Sequence, residues 1–360
     1  MTSKRMELIL SRGLDQDGDE GVPEYGGVSV WLINRLHKVI SHTMNILTKK
    51  DDAFIVQVDG DVARVMANES GRQLRRLSNV FFSILPMKEE ILDAEGKVVA
   101  NNNVYPYIRL ITKKINNSSF LFFMSRLNER MEKGSAEKVA SYLNSIVAEA
   151  RSEAASEGFK KSVASYSRSS NKNYKALIHY VESLFECYSR MLVLRVDFGY
   201  TKDNSSVGLD VVAEDLNRFL ENRRSNGLFK WMVGYVWKLE YARKKGFHYH
   251  MVFFFNGAHV REDVVIAKMV GEYWRDVVTR GRGIYHNCNA DKARYKRCGI
   301  GMMKHDDGEM REGLHDALQY ITKSDKYMKL QVGKRCMGKG EPPKAKDARG
   351  RPRKNDIVEA

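Results

Sequence analysis

Residues 237–257 read WKLEYARKKGFHYHMVFFFNG, in which two strand-like segments flank a short charged turn. The second segment runs into Met251–Phe255, which is apolar at every position and therefore predicts an interior strand covered on both sides. Residues 242–246 have the composition of a turn, and Gly246 closes it. The stretch therefore predicts an antiparallel hairpin inside a sheet.

Two histidines stand at the start of this apolar strand. Because side chains on a strand alternate between faces, His248 and His250 point the same way. A hairpin centred on Lys244 places Glu240 directly across from His248, with side-chain stems about 5 Å apart. A one-residue slip in register would turn Glu240 to the other face.

Buried imidazoles need a partner, and a metal ion is an efficient one. Two ring nitrogens and a carboxylate oxygen predict an open site for Mn²⁺ or Mg²⁺, with zinc or cobalt also compatible. Magnesium prefers oxygen ligands, so the histidines favour manganese in vitro. The alternative is an ordinary pair of sheet histidines, because His-x-His is by itself a weak signal. Glu240, His248 and His250 are the predicted ligands.

The segments around the hairpin predict an α+β fold with helices packed on one face of a central antiparallel sheet. The order is strand, helix, strand, strand, helix, strand, helix. The predicted strands are Met191–Asp197, Trp231–Tyr241, Phe247–Phe255 and Lys296–Lys304, and the predicted helices are Asp210–Arg224, Arg261–Thr279 and Glu309–Leu330.

The last predicted helix carries Tyr320 and Lys323, which lie on one helix face because they are three residues apart. Tyrosine has a reference pKa of about 10, so a nearby cation and a metal-polarised phosphate would both help it act as a nucleophile. Tyr327 recurs on roughly the same face and is the alternative nucleophile. It has no lysine three residues later, where Leu330 stands instead.

The strand with Glu240, the strand with His248 and His250, and the helix with Tyr320 and Lys323 follow one another along the chain. In this order they resemble the HUH endonuclease superfamily. Residues 237–257 and residues 314–328 (LHDALQYITKSDKYM) are similar to the replication initiators of filamentous phages (inoviruses) and to related prophage-encoded proteins of the YagK/YfjJ type. The strand Met191–Asp197 matches that family's first motif in position, though loosely in its letters. The resemblance covers about residues 188–340.

The resemblance implies rolling-circle replication initiated by site-specific nicking and joining of one DNA strand. The residues matching Glu240, His248 and His250 would hold the metal, and the tyrosine matching Tyr320 would form a 5′-phosphotyrosine link and free a 3′-OH. The lysine matching Lys323 would position or stabilise the site. The implied partners are single-stranded or hairpin DNA at a replication origin, together with host replication proteins.

Two alternatives stay open from the sequence. A relaxase or transposase would use the same chemistry on another substrate, and a non-catalytic DNA-binding prophage regulator would use only the fold. Some phage initiators carry two tyrosines four residues apart, but here Asp316 and Ser324 occupy those positions. We therefore expect one catalytic tyrosine, or a second one supplied from elsewhere, such as Tyr327.

The length of 360 residues and the 43% hydrophobic content predict more than one domain. We expect a mainly helical N-terminal domain over residues 1–135, a linker or solvated helix over residues 136–175, the catalytic domain over residues 176–330 and a basic, disordered tail over residues 331–360. The sequence contains no apolar run long enough to cross a membrane and no signal peptide, so we expect a protein of the bacterial cytoplasm.

The formal net charge of +15 favours a polyanionic partner. Arg243, Lys244 and Lys245 on the hairpin turn are candidates for phosphate contacts, as are Lys334 and Arg335 in the basic tail. An exposed charged turn and a solvated tail are the alternatives.

Overall fold

The hairpin predicted from residues 237–257 is at the centre of the larger sheet in the computed structural model, which describes residues 30–84, 90–92, 98–242 and 245–343. The strands of this sheet are β5 (Arg190–Tyr200), β6 (Met232–Ala242), β7 (Gly246–Asn256), β8 (Gly283–Asn287), β9 (Gly301–Lys304) and β11 (Met337–Lys339). Their order across the sheet is β11-β6-β7-β5-β8, and β9 pairs with the same edge of β5 as β8. All of these pairings are antiparallel. The α+β class with a central antiparallel sheet is confirmed.

Helices cover both faces of this sheet, so the expectation of helices on one face is wrong. They are α6 (Glu157–Cys187), α7 (Leu209–Asn222), α8 (Asp263–Glu272), which continues into a π-helical turn (Tyr273–Val278), and α9 (Gly308–Tyr327). α7 and α8 pack on one face, and α6 and α9 pack on the other. The reason lies in strands such as β7, whose apolar residues alternate between two cores and require cover on both sides.

The N-terminal half combines helices with short strands around a separate hydrophobic core. Its elements are α1 (Val30–Thr48), β1 (Phe54–Asp59), β2 (Val62–Ala67), α2 (Glu69–Ile84), β3 (Glu90–Leu92), β4 (Val98–Val104), α3 (Pro106–Ile115), α4 (Ser118–Ser125) and α5 (Lys133–Ala155). β1 and β2 form an antiparallel hairpin. The predicted boundaries between domains stay a prediction.

Residues 136–175 lie within α5 and α6. The inner side of α5 belongs to the N-terminal core through Ala136, Val139 and Leu143. Ser156 separates the two helices and caps α6, since its hydroxyl accepts a hydrogen bond from the backbone N–H of Phe159 at 3.2 Å.

The segment after α9 is not a disordered arm in the part that the structure describes, which ends at residue 343. β10 (Met328–Gln331) pairs with β4 of the N-terminal half, and β11 pairs with β6. The backbone of this segment therefore extends two sheets. The remainder of the predicted basic tail lies outside the described residues.

None of the helices in the described parts of the chain is both long and apolar enough to span a bilayer.

The turn between β6 and β7 depends on Gly246, which has a φ of +67°. A Cβ at this position would overlap the backbone carbonyl of Ser205, whereas Gly60, with a φ of +61°, has no atom within 4 Å of an added Cβ. We expect Gly60→Ala to cost about 1–2 kcal/mol from backbone strain alone. Gly246→Ala should cost at least about 3 kcal/mol, because steric overlap adds to the same strain.

Urea unfolding of both variants would test this difference. Equal losses of stability would show that the contact with Ser205 does not constrain the turn.

Candidate metal centre

The pairing of β6 with β7 places the predicted ligands side by side. Glu240 pairs with His248, and Lys238 pairs with His250, so the predicted register is confirmed. Facing residues in an antiparallel pair point to the same side of the sheet. All four side chains therefore lie on the face covered by α6 and α9.

Glu240, His248 and His250 form a tight, buried group. Their side chains are 7%, 8% and 2% exposed, and one potential ligand atom from each lies within 4.8 Å of the others. Glu240 Oε2 is 3.4 Å from His250 Nε2 and 3.9 Å from His248 Nε2. The two rings are perpendicular, with centroids 5.3 Å apart. Both Nε2 atoms are thus near one carboxylate oxygen.

The other ring nitrogen of each histidine has its own partner. His248 Nδ1 is 3.2 Å from the carbonyl oxygen of Gly246, and His250 Nδ1 is 2.8 Å from Asp197 Oδ1. Such contacts orient a metal-binding imidazole and set which nitrogen is left as the ligand. Here that nitrogen is Nε2 in both rings.

Asp197 was missed as a site residue by the sequence reasoning. It belongs to β5, where it pairs with His250 in the sheet. The available signal was that Asp197 ends the apolar segment MLVLRVD as its one acidic residue. Its pairing partner lies more than 50 residues further along the chain, so local periodicity could not reveal the contact.

Burial opposes every charge in this cluster, but neighbouring charges outweigh it for three groups. Burial would raise the pKa of Asp197 and of Glu240, yet the nearby His250 holds both carboxyl pKa values well below their usual range. The two carboxylates raise the pKa of His250 to about 9, against the lowering effect of its burial. Burial and the charge of His250 lower the pKa of His248 to about 4. At neutral pH and without a metal, the cluster therefore holds its proton on His250.

These residues fit a divalent cation. The buried Nε2 atoms of His248 and His250, like His250 Nδ1 and the Asp197 carboxylate oxygens, make no hydrogen bond of good geometry within the described residues. A dication that displaces the proton from His250 would balance the charges of Glu240 and Asp197. Two imidazoles and one carboxylate also leave coordination positions open for a substrate.

Two buried cations lie on the same face as this cluster. Arg195 Nε is 3.5 Å from Asp197 Oδ1, and Lys238 pairs with His250 across β6 and β7. Arg195 and Lys238 are 5% and 2% exposed. Their charges add to that of a bound dication, so the face favours an anionic group such as a phosphate.

The helix that carries the predicted nucleophile packs on this same face. Leu314, Leu318 and Ile321 of α9 belong to the core that also contains Val193 of β5 and Val252 of β7. Tyr320, Lys323 and Tyr327 all belong to α9, but their side chains lie outside what the structure describes. α9 ends at Tyr327, three residues before the predicted end.

Three of the five residues predicted to contact phosphate lie in the described parts of the chain. Arg243 and Lys244 lie outside the described residues, and Lys245 is half-buried. Lys334 and Arg335 are exposed between β10 and β11, where Lys334 forms an ion pair with Asp210 of α7.

The contact between Asp197 and His250 leads to a prediction. Asp197→Asn should weaken Mn²⁺ binding by about 10- to 100-fold, the usual effect of removing an outer partner of a metal ligand. The Asp197 carboxylate attracts both a proton on His250 and a metal ion that would replace that proton. Because a dication carries twice the charge of a proton, removing the carboxylate should weaken metal binding more than it weakens proton binding. Calorimetric titration at fixed pH measures the change.

Asp276→Asn is the matched control, because Asp276 is exposed, forms an ion pair with Arg275 at 2.7 Å, and belongs to the π-helical turn that packs on the opposite face of the sheet. Equal Mn²⁺ affinities for Asp197→Asn and the unmodified protein would exclude Asp197 from the site.

Residues 153–340 match the family model described as "YagK/YfjJ C-terminal domain", which is slightly more than half of the 360-residue chain. The matched segment runs from the end of α5 to the residue after β11 and includes the whole metal cluster. No curated protein and no solved structure matches the chain.

Proposed function

The chain belongs to the YagK/YfjJ C-terminal domain family, and we propose from this membership and from its buried cluster that it is a metal-dependent enzyme that nicks and rejoins one DNA strand. Its biological role in this proposal is to initiate rolling-circle replication of a phage or prophage in the bacterial cytoplasm. The substrate is single-stranded or hairpin DNA at the replication origin.

One observation carries the proposal. Glu240, His248 and His250 converge within 4.8 Å on a buried sheet face, and the helix with Tyr320 packs against that face. A purely structural pair of histidines does not need two buried Nε2 atoms near one carboxylate. A buried cluster with perturbed pKa values is typical of a functional site.

Each residue has a distinct part in the proposed reaction. Glu240, His248 and His250 would hold Mn²⁺ or Mg²⁺, which supplies Lewis-acid polarisation of the scissile phosphate. Asp197 and the Gly246 carbonyl keep the two imidazoles oriented. Arg195 and Lys238 raise the positive potential of the face that receives the phosphate.

Tyr320 is the nucleophile in this proposal, and Lys323 favours its ionised form. The phenol oxygen bonds to phosphorus as the bond to the 3′ oxygen breaks. The phenol loses its proton, and the departing 3′ oxygen takes up a proton to become a hydroxyl. The products are a 5′-phosphotyrosine link and a 3′-OH that a host polymerase can extend. Attack of a 3′-OH on the phosphotyrosine reverses the step and joins the strand.

A covalent adduct assay tests the function. The protein is incubated with labelled single-stranded DNA from the replicon's origin region and Mn²⁺, and the mixture is separated on a denaturing gel. We expect a labelled protein band that requires Mn²⁺ or Mg²⁺ and disappears with EDTA. DNA binding without any adduct, under every metal tested, would instead support the non-catalytic regulator.

A further inference from the structure

The solvent-facing side of α6 carries a continuous basic stripe. The exposed residues at helical spacing along it are Lys161, Ser165, Arg168, Lys172, Lys175 and His179. The opposite side of the helix is buried through residues such as Leu177 and Leu184. We call Lys161, Arg168, Lys172 and Lys175 the α6 ridge. Because a helix rises about 1.5 Å per residue, the ridge is about 21 Å long.

Between Glu157 and Glu182, α6 itself contributes no negative charge to balance the ridge, because the sequence has no Asp or Glu there. Among the residues that the structure describes, no acidic side chain forms an ion pair with any of the four cations, whereas the neighbouring Lys160 pairs with Glu157 at 3.0 Å. A solvated helix face usually mixes both signs of charge. A stripe of one sign over four turns indicates a polyanionic partner.

The shape of the ridge favours duplex DNA over a single strand. Proteins that bind single strands add exposed aromatic side chains on which bases stack. The aromatic residues of α6 are buried or half-buried, and Phe159 already packs edge-to-face on Tyr107 with ring centroids 5.1 Å apart. A duplex keeps its bases stacked inside and presents phosphates to a basic surface.

The helix that carries the ridge contacts α9, the proposed catalytic helix, through polar and aromatic side chains. Glu182 of α6 contacts two residues of α9, accepting a hydrogen bond from Arg311 and lying 2.9 Å from His315 Nε2. Arg311 also lies over the ring of Phe185, at 4.7 Å from its centroid. A duplex held on the ridge would therefore have a defined position relative to α9.

From these observations we infer that the α6 ridge binds the phosphate backbone of duplex DNA next to the nicking site, independently of base sequence. This inference rests on the proposed function, and it adds a second contact surface to the metal site. It also gives α6 a role in holding the origin while one strand is opened.

The test compares two quadruple variants that each lose four positive charges. The ridge variant is Lys161→Gln, Arg168→Gln, Lys172→Gln and Lys175→Gln. The control variant replaces four exposed arginines of the N-terminal half with glutamine at positions 64, 72, 75 and 76. Binding of a duplex of about 30 bp is measured by fluorescence anisotropy over a range of salt concentrations. Circular dichroism checks that both variants are folded.

The ridge variant should bind the duplex at least tenfold more weakly near 0.1 M salt, and its salt-dependence slope should fall by about 3 to 4, one for each lost phosphate contact. The control variant should keep its slope within about one unit. Equal losses in both variants would show that net charge alone drives binding, and an unchanged ridge variant would exclude the ridge. A loss confined to single-stranded DNA would also overturn the inference.

The adduct assay separates this inference from the proposed function. The folded ridge variant should still form the adduct at saturating concentrations of a short single-stranded substrate, because its metal cluster and tyrosine are unchanged. An unmodified protein that forms no adduct contradicts the proposed function, whatever the ridge does. If the unmodified protein forms the adduct normally and the ridge variant binds the duplex as tightly as the unmodified protein does, only the inference about the α6 ridge is contradicted.

Discussion

Tyr320→Phe is expected to abolish the covalent protein–DNA adduct while changing the affinity for the same DNA by less than about twofold. The substitution removes a single hydroxyl oxygen, and that oxygen is the proposed attacking atom. We expect the rate of adduct formation to fall by at least about 10³-fold, as is usual when a covalent nucleophile is lost. A time course on denaturing gels with Mn²⁺ gives the rate, and anisotropy gives the affinity.

Tyr327→Phe is the matched control, since Tyr327 belongs to the same helix and undergoes the same chemical change. It should form the adduct at nearly the unmodified rate. The reverse pattern, with activity kept by Tyr320→Phe and lost by Tyr327→Phe, would assign the nucleophile to Tyr327. Loss of the adduct in both single variants would indicate a two-tyrosine enzyme.

The second large effect concerns the metal ligands. His248→Ala and His250→Ala should each reduce Mn²⁺-dependent nicking by at least about 10²-fold, because each removes one of three ligands. His250→Ala also removes the nearer of the two cationic partners of the buried Asp197 carboxylate and leaves Arg195 Nε at 3.5 Å, so this variant should unfold at a lower temperature. His248→Ala should be the less destabilised of the two and is the better test of the ligand role.

His259→Ala supplies the control, because His259 stacks on Trp231 just beyond the other end of β7. It should leave both Mn²⁺ affinity and nicking within about twofold of the unmodified protein. Nicking at the unmodified rate by folded His248→Ala or His250→Ala would remove the histidines from the site.

Much of the site could be predicted from residues near one another in the chain. His248 and His250 share a face because strands alternate, and Glu240 faces His248 because a short turn sets the register of a hairpin. These rules act over about ten residues. The metal cluster of Glu240, His248 and His250 was therefore predictable as a group.

Other parts depended on pairings between distant segments. Asp197 contacts His250 because β5 pairs with β7. The same pairing brings Arg195 of β5, which lies 3.5 Å from Asp197, to this face of the sheet. Residues 331–360 were predicted to form a basic tail, yet residues 337–339 pair with β6 as β11. Composition does not predict this pairing, because its backbone hydrogen bonds do not depend on side-chain identity.

The sequence alone determined a sheet with an apolar interior strand and a three-residue ligand set on one hairpin. It did so because side-chain alternation and turn length act locally, whatever the rest of the chain does. Only the tertiary structure decided which helices cover each face, that Asp197 orients His250, and that α6 turns a basic stripe to solvent beside α9. Those features arise from packing between segments far apart in the chain, where the burial of apolar surface, rather than local pattern, selects the arrangement.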